Sequence, residues 1–263
     1  MRIVTMTVLC VDFYKQQKIV NMGGNSLNFA TQCRNDGYVN VSIIGAVGND
    51  QYGKQIVDYL EQRNIEHSRV YSKAGRTASN TILITEKGER YFPPNAWDGG
   101  VYQNFALSDE DWSFALSHDM VAIPGNNYNF LECTTRTTAR NLLTVDFLDL
   151  RDYELMEKTM PSIDLSFISG DDDVIRFAEK QSRKIDGILT VTLGEEGSIS
   201  FQGHRSIRQK AIPVRNVKDT TGCGDAYQAA FSTTFFETKS IERSLEAGSI
   251  AASKILVHLG AVK

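Results

Sequence analysis

Along most of this 263-residue chain, short apolar runs rich in β-branched residues alternate with amphipathic helical runs. Strands are expected at "IVTMTVL", "VSIIGAV", "DMVAIP", "LLTVDFL", "DLSFIS" and "GILTVTL". Helices are expected at "QYGKQIVDYLEQR", "SDEDWSFAL", "DDDVIRFAEKQSRK", "CGDAYQAAFSTTFF" and "SIERSLEAGSIAASKILVH". Strands and helices that alternate in this way build an α/β fold, a mostly parallel sheet sandwiched between helical layers. Several of the runs are apolar at every position, as strands buried on both faces require.

The alternation breaks once. From Val70 onward, "VYSKAGRTASNTILITEKGERYF" alternates polar and apolar residues around the turn "EKGER", which predicts a hairpin and not another strand–helix unit. With part of the first 21 residues it forms a small β lid, roughly residues 10–22 and 70–95, set against the main sheet. No repeat, low-complexity run or linker divides the rest, so residues 1–263 are expected to form one domain.

Charge narrows the partners. A net charge of −4 and a pI near 5.6 provide no basic field for nucleic acid or an anionic membrane. No apolar run approaches the ~20 residues of a membrane helix, and Asp12 interrupts the first one. Cys10, Cys33, Cys133 and Cys223 are scattered without a CxxC pair, so reduced thiols in a cytoplasmic protein are expected and a zinc or disulfide framework is not.

The segment "DTTGCGD", Asp219 to Asp225, carries the sharpest chemical signal. A turn of small residues before a helix exposes backbone N–H groups with no intrahelical partner, and the helix dipole adds partial positive charge there. The amides of Gly222, Cys223 and Gly224 could therefore face the charge on a phosphoryl group in flight, while Asp225 could take the proton of an attacking hydroxyl. Equally, Asp225 could cap the helix and the glycines could make a tight turn.

Three other stretches bear on a ligand. In "GGNSLNFA", Gly23 and Gly24 allow close approach to the backbone, Asn25 or Ser26 could cap a helix, and Asn28 points back toward the glycines. Asp12 and Asn28 could pair with the hydroxyls of a neutral sugar, or serve as a turn residue and a polar helix face. In "TVTLGEEGS", Gly194 and Gly197 could seat a base or ribose and Thr192 could offer a hydroxyl to phosphate; a plain turn fits as well. Trp97 could stack on a sugar and Asn126 could bind a hydroxyl, with packing and turn roles as the alternatives.

"DTTGCGDA", "GGNSLNFA" and "TVTLGEEGS", in this order and spacing, resemble the signatures of the ribokinase/PfkB carbohydrate kinases across essentially the whole chain. The resemblance implies a ribokinase-like αβα sandwich and ATP-dependent phosphorylation of a sugar hydroxyl. It implies Asp225 as base, an anion hole at Gly222, Cys223 and Gly224, and a sugar site at Asp12, Gly23, Gly24 and Asn28. Nucleotide contacts fall to Thr192, Gly194, Gly197 and Thr221, and Asp219 matches a residue that helps bind K+ in part of the family.

One departure stands out. The family's Asn-x-x-Glu motif is replaced by "SGDDD", so Asp172 takes the place of the glutamate that organises Mg2+, one methylene shorter. "FALSDEDW", "GNDQYGKQIVDYL" and "VTLGEEGSI" are similar to bacterial fructoselysine 6-kinases, implying phosphorylation of the 6-hydroxyl of a fructosamine. The alternatives are a family kinase for another sugar or nucleoside, or a sugar-sensing relative without turnover. A homodimer through the lid is a further family-level expectation.

Overall fold

The structure, a computed structural model, describes residues 1–262. Its elements follow in chain order: β1 (Ile3–Thr7), β2 (Cys10–Tyr14), β3 (Ile19–Gly23), α1 (Asn25–Asn35), β4 (Val41–Gly48), α2 (Gln51–Gln62), β5 (Glu66–Lys73), β6 (Ala78–Ile84), β7 (Arg90–Tyr91), β8 (Trp97–Asp98) and α3 (Asp109–Leu116). Then come β9 (Met120–Pro124), α4 (Phe130–Arg136), β10 (Leu142–Asp146), α5 (Tyr153–Thr159), β11 (Leu165–Ser169), α6 (Asp172–Ser182), β12 (Ile188–Thr192), β13 (Ser198–Gln202), β14 (Arg205–Gln209), α7 (Cys223–Thr238) and α8 (Ile241–Ile255).

The main sheet has nine strands in the order β14-β13-β12-β11-β10-β9-β1-β4-β5. From β12 to β5 every pair is parallel; β13 and β14 extend the far edge antiparallel. Alternate strand residues feed two separate cores. Ile3, Ile43, Met120 and Leu142 pack with side chains of α1, α2, α7 and α8, while Val4, Ile44, Val121 and Leu143 pack with those of α3, α4, α5 and α6. The result is the three-layer αβα sandwich that all-apolar strands demand.

A smaller sheet, β3-β2-β6-β7 with β8 paired to β6, forms the lid. The turn in "EKGER" is closed by the Thr85 amide donating to the Glu89 carbonyl at 2.9 Å. Residues Val70 to Lys73, read as lid from the sequence, belong instead to β5, which pairs with β4 in the main sheet. A half-exposed edge strand alternates as a hairpin strand does, so periodicity could not separate the two. Helices α4 and α5 were not expected; at 7 residues each they are too short to display a helical period. Among the described residues no helix is long and apolar enough to cross a membrane.

Candidate active site

In a sheet of this topology, ligands gather where the parallel strands end. Here Thr7, Asp146, Ser169 and Thr192 close β1, β10, β11 and β12 on one edge, and the N-terminus of α7 faces the same edge. Gly222 caps α7 with a φ of 82, the left-handed region, and a side chain there would strike Ala261. Glycine is therefore required for the turn. At Gly224, by contrast, a side chain would meet nothing within 4 Å, so the first turn of α7 is open on that side. The Cys223 amide donates to the Thr220 carbonyl at 3.3 Å, a contact that competes with its expected place in an anion hole.

Asp225, in the first turn of α7, is 9% exposed and held by two amides. Asn28 donates to Oδ2 at 2.6 Å and Asn25 to Oδ1 at 2.6 Å. Both come from α1, where a spacing of three residues puts them on one face. Asn25 and Ser26 were expected as caps. Instead Gly24 occupies the cap with no side-chain bond, Asn25 reaches Asp225, and the Ser26 hydroxyl accepts the Val8 amide at 3.1 Å. Gly23 lets the Asp12 carboxylate lie against the backbone, since any side chain there would strike it.

The same Asn25 nitrogen lies 3.3 Å from Oδ2 of Asp146, a residue missed in the sequence. Its signal was present: a carboxylate ends the otherwise apolar strand "LLTVD" at the ligand edge. Burial pushes its carboxyl up to about 7, helped by the nearby charge of Asp225 and opposed by the Leu148 amide and Arg90. Asp12 is likewise raised to about 7 by burial, against the pull of the Arg90 guanidinium. Asp225 is raised by burial too, with Asn28, Arg90 and Asn25 drawing it back. A buried carboxyl with a raised pKa suits proton acceptance near neutral pH. The Cys223 thiol, pushed up to about 12 by burial, stays protonated.

Asp219 and Thr221 are both buried. Asp219 is 1% exposed and accepts from the Tyr14 hydroxyl at 2.7 Å, the Thr221 amide and hydroxyl at 2.8 and 2.7 Å, and the Gly260 amide at 2.8 Å. Four donors thus occupy the lone-pair sites of one carboxylate, so a K+ at Asp219 would compete with them. The Thr221 hydroxyl donates to the same carboxylate, leaving its oxygen lone pairs as acceptors.

The remaining expected residues are more open. Thr192 lies within 3.2 Å of the Ser169 hydroxyl, and Gly194 and Gly197 bracket the turn from β12 to β13. Asp171 caps α6 and Asp173 pairs with Arg176, leaving Asp172 exposed at the first position of the helix. No group of three metal-ligating side chains occurs among the described residues. Mg2+ bound here would take most of its oxygens from nucleotide phosphates and water, as this ion usually does, with Asp172 as the adjoining carboxylate. Asn126 is exposed after β9, whereas its neighbour Asn127 is buried and bonded to Thr7 and to Tyr102, the latter at 3.1 Å. Arg76 is tied to Asp98 at 2.8 Å, while the amide of Arg90 binds the Thr220 hydroxyl at 3.0 Å and joins β7 to the glycine turn. A cavity of about 530 Å³ opens at the opposite end of the strands, beside Leu142, Asp164 and Ile188, and contains none of these groups.

The sequence and the fold resemble those of known proteins. The chain is 32% identical to fructoselysine 6-kinase of Escherichia coli over 257 residues, covering 96% of each protein. It is 25% identical to a fructosamine kinase of Bacillus subtilis over 271 residues, 99% of this chain and 93% of the relative. A probable sugar kinase from Rhizobium etli shares the fold with a TM-score of 0.83 at 19% identity, covering 99% of this chain and 94% of that one. Residues 11–263 match the pattern of the pfkB family of carbohydrate kinases, and the chain belongs to that family as an ATP-dependent sugar phosphotransferase.

Proposed function

We propose that this kinase phosphorylates the 6-hydroxyl of fructoselysine or a related fructosamine, an amino acid joined to a ketose through a secondary amine. The observation that carries the catalytic reading is the Asp225 carboxylate, clamped by Asn25 and Asn28 beside the open space at Gly224. Asp225 takes the hydroxyl proton as the sugar oxygen bonds to the γ-phosphorus. The bond to the β,γ-bridging oxygen breaks and ADP leaves. The amides of Gly222 and Gly224 stabilise charge on the transferring group, and Asp172 would help hold a Mg2+ whose charge would add neutralisation. Asp12, Gly23, Gly24, Asn28 and Asn126 surround the sugar, while Thr192, Gly194 and Gly197 border the nucleotide.

The charges around the sugar favour an amine-bearing substrate. Asp12, Asp146 and Asp225 meet there and Arg90 is the cation that acts on all three. A phosphorylated sugar would require more positive groups. Exposed Ile19, Val20, Tyr91 and Phe92 on the lid support association of two copies through it, and a monomer by sedimentation at micromolar concentration would refute that. Four free thiols, three of them buried, fit a reducing cytoplasm.

The test is ADP release from ATP and magnesium, with and without potassium, against fructoselysine, fructose, ribose, fructose 6-phosphate, adenosine and 2-keto-3-deoxygluconate. Turnover concentrated on fructoselysine supports the proposal. Turnover on another compound keeps the kinase and discards the fructosamine.

A further inference from the structure

The pairing register of the lid sheet lines up one side chain from each of four strands. Asp12 of β2 stands opposite Asn21 of β3 and Asn80 of β6, and Asn80 stands opposite Trp97 of β8. Directly paired residues project from the same face of a sheet. That face looks onto the catalytic turn. Tyr14, two residues beyond Asp12, reaches Asp219 at 2.7 Å, and Asn21 donates to the Leu259 carbonyl at 3.3 Å. The row Trp97, Asn80, Asp12, Asn21 therefore overlooks the sugar site.

Acceptors in and beside it are short of donors. Oδ1 of Asn80 is buried with no hydrogen-bond partner among the described residues, and so is Oδ1 of Asn28. The side-chain donor recorded at the Asp12 carboxylate is the Cys10 thiol, at 3.9 Å, a weak one. Buried acceptors left unpaired cost free energy until a donor arrives. A ligand rich in O–H and N–H groups supplies those donors, whereas a phosphate or carboxylate would set oxygen against oxygen. Trp97, 41% exposed, presents a ring edge or face at the end of the row.

We propose that Asn80 is a specificity-determining residue, its Oδ1 accepting a hydrogen bond from a hydroxyl or secondary ammonium of the substrate beside Asp12. The row then admits polyols and aminosugars and turns away sugar phosphates and sugar acids. The inference rests on the reading of this pocket as the sugar site.

Asn80→Leu and Asn80→Asp test it, with kcat and KM measured at saturating ATP on whichever sugar the wild type phosphorylates. The leucine variant should raise the sugar KM about tenfold or more, with kcat within a few-fold and the KM for ATP unchanged, because a site built around a polar pairing loses heavily when one partner goes. The aspartate variant keeps an acceptor and should hold the sugar KM within a few-fold. A leucine variant with wild-type sugar KM overturns the assignment, as does a wild type that prefers fructose 6-phosphate to unphosphorylated sugars. Turnover of fructose or ribose but not fructoselysine would refute the fructosamine reading alone, and the leucine comparison on that sugar would still decide Asn80. If circular dichroism shows the leucine variant misfolded, the aspartate variant decides: a sugar KM raised tenfold in a folded protein overturns the proposal.

Discussion

Asp12→Asn keeps the shape of a buried side chain and removes its charge. In the wild type the carboxyl is 4% exposed and its pKa rises from 3.8 to about 7, chiefly through burial. The folded value lies above the unfolded one, so folding favours the protonated form. The cost of ionisation is absent below pH ~4 and fully expressed once the pH passes ~7. Linkage between those two values puts the cost at about 2 kcal/mol at pH 5 and about 4 kcal/mol at pH 8. Asparagine does not titrate, so the variant's stability advantage should grow by about 2 kcal/mol across that interval, or about 4–8 °C in Tm for a chain of this size. Thermal melts followed by circular dichroism at pH 5, 6, 7 and 8 measure it directly. The same variant should bind sugar poorly, since an amide presents a donor where the ligand brings donors. An advantage that is absent, or equal at pH 5 and pH 8, would refute the argument and mean that Asp12 ionises in the fold as it does in water.

Asp225→Asn should lower kcat by about 10²–10⁴ with the melting temperature preserved or raised, and near-wild-type turnover would remove the residue from the role of base. Gly222→Ala combines a φ of 82 with a collision against Ala261; it should cost about 2 kcal/mol and lower Tm by about 5 °C, with activity falling further than stability. A full-activity variant would show that the turn can move. Asp172→Asn should raise the Mg2+ concentration for half-maximal rate about tenfold while leaving the rate at saturating Mg2+ nearly unchanged. An unchanged titration would leave "SGDDD" as helix-capping acids alone.

The layered fold was legible because all-apolar runs such as "LLTVD" can be satisfied only between two helical layers. The glycine turn was legible because its small residues and its carboxylate are adjacent in the chain. What was hidden is what the fold brings together over distance. Asn25 and Asn28 meet Asp225 across 200 and 197 residues, so no local pattern distinguishes them from a helix cap or a polar helix face. The partners of Asp219 and Thr221 were hidden for the same reason. Their residue types suit ion and nucleotide binding, but Tyr14, 205 residues away, and the Gly260 amide donate to the carboxylate. Asn80 escaped notice because its unpaired oxygen becomes unusual only once the sheet has buried it.

The Asp219 carboxylate also sets the order in which the enzyme can be finished. It fastens the hydroxyl of Tyr14, a turn near residue 221 and an amide at residue 260. Until that last amide has left the ribosome, the segment bearing the base lacks one of its fastenings. A nascent chain can thus lay down its sheet strand by strand, yet fastens the glycine turn fully only after residue 260 has been made.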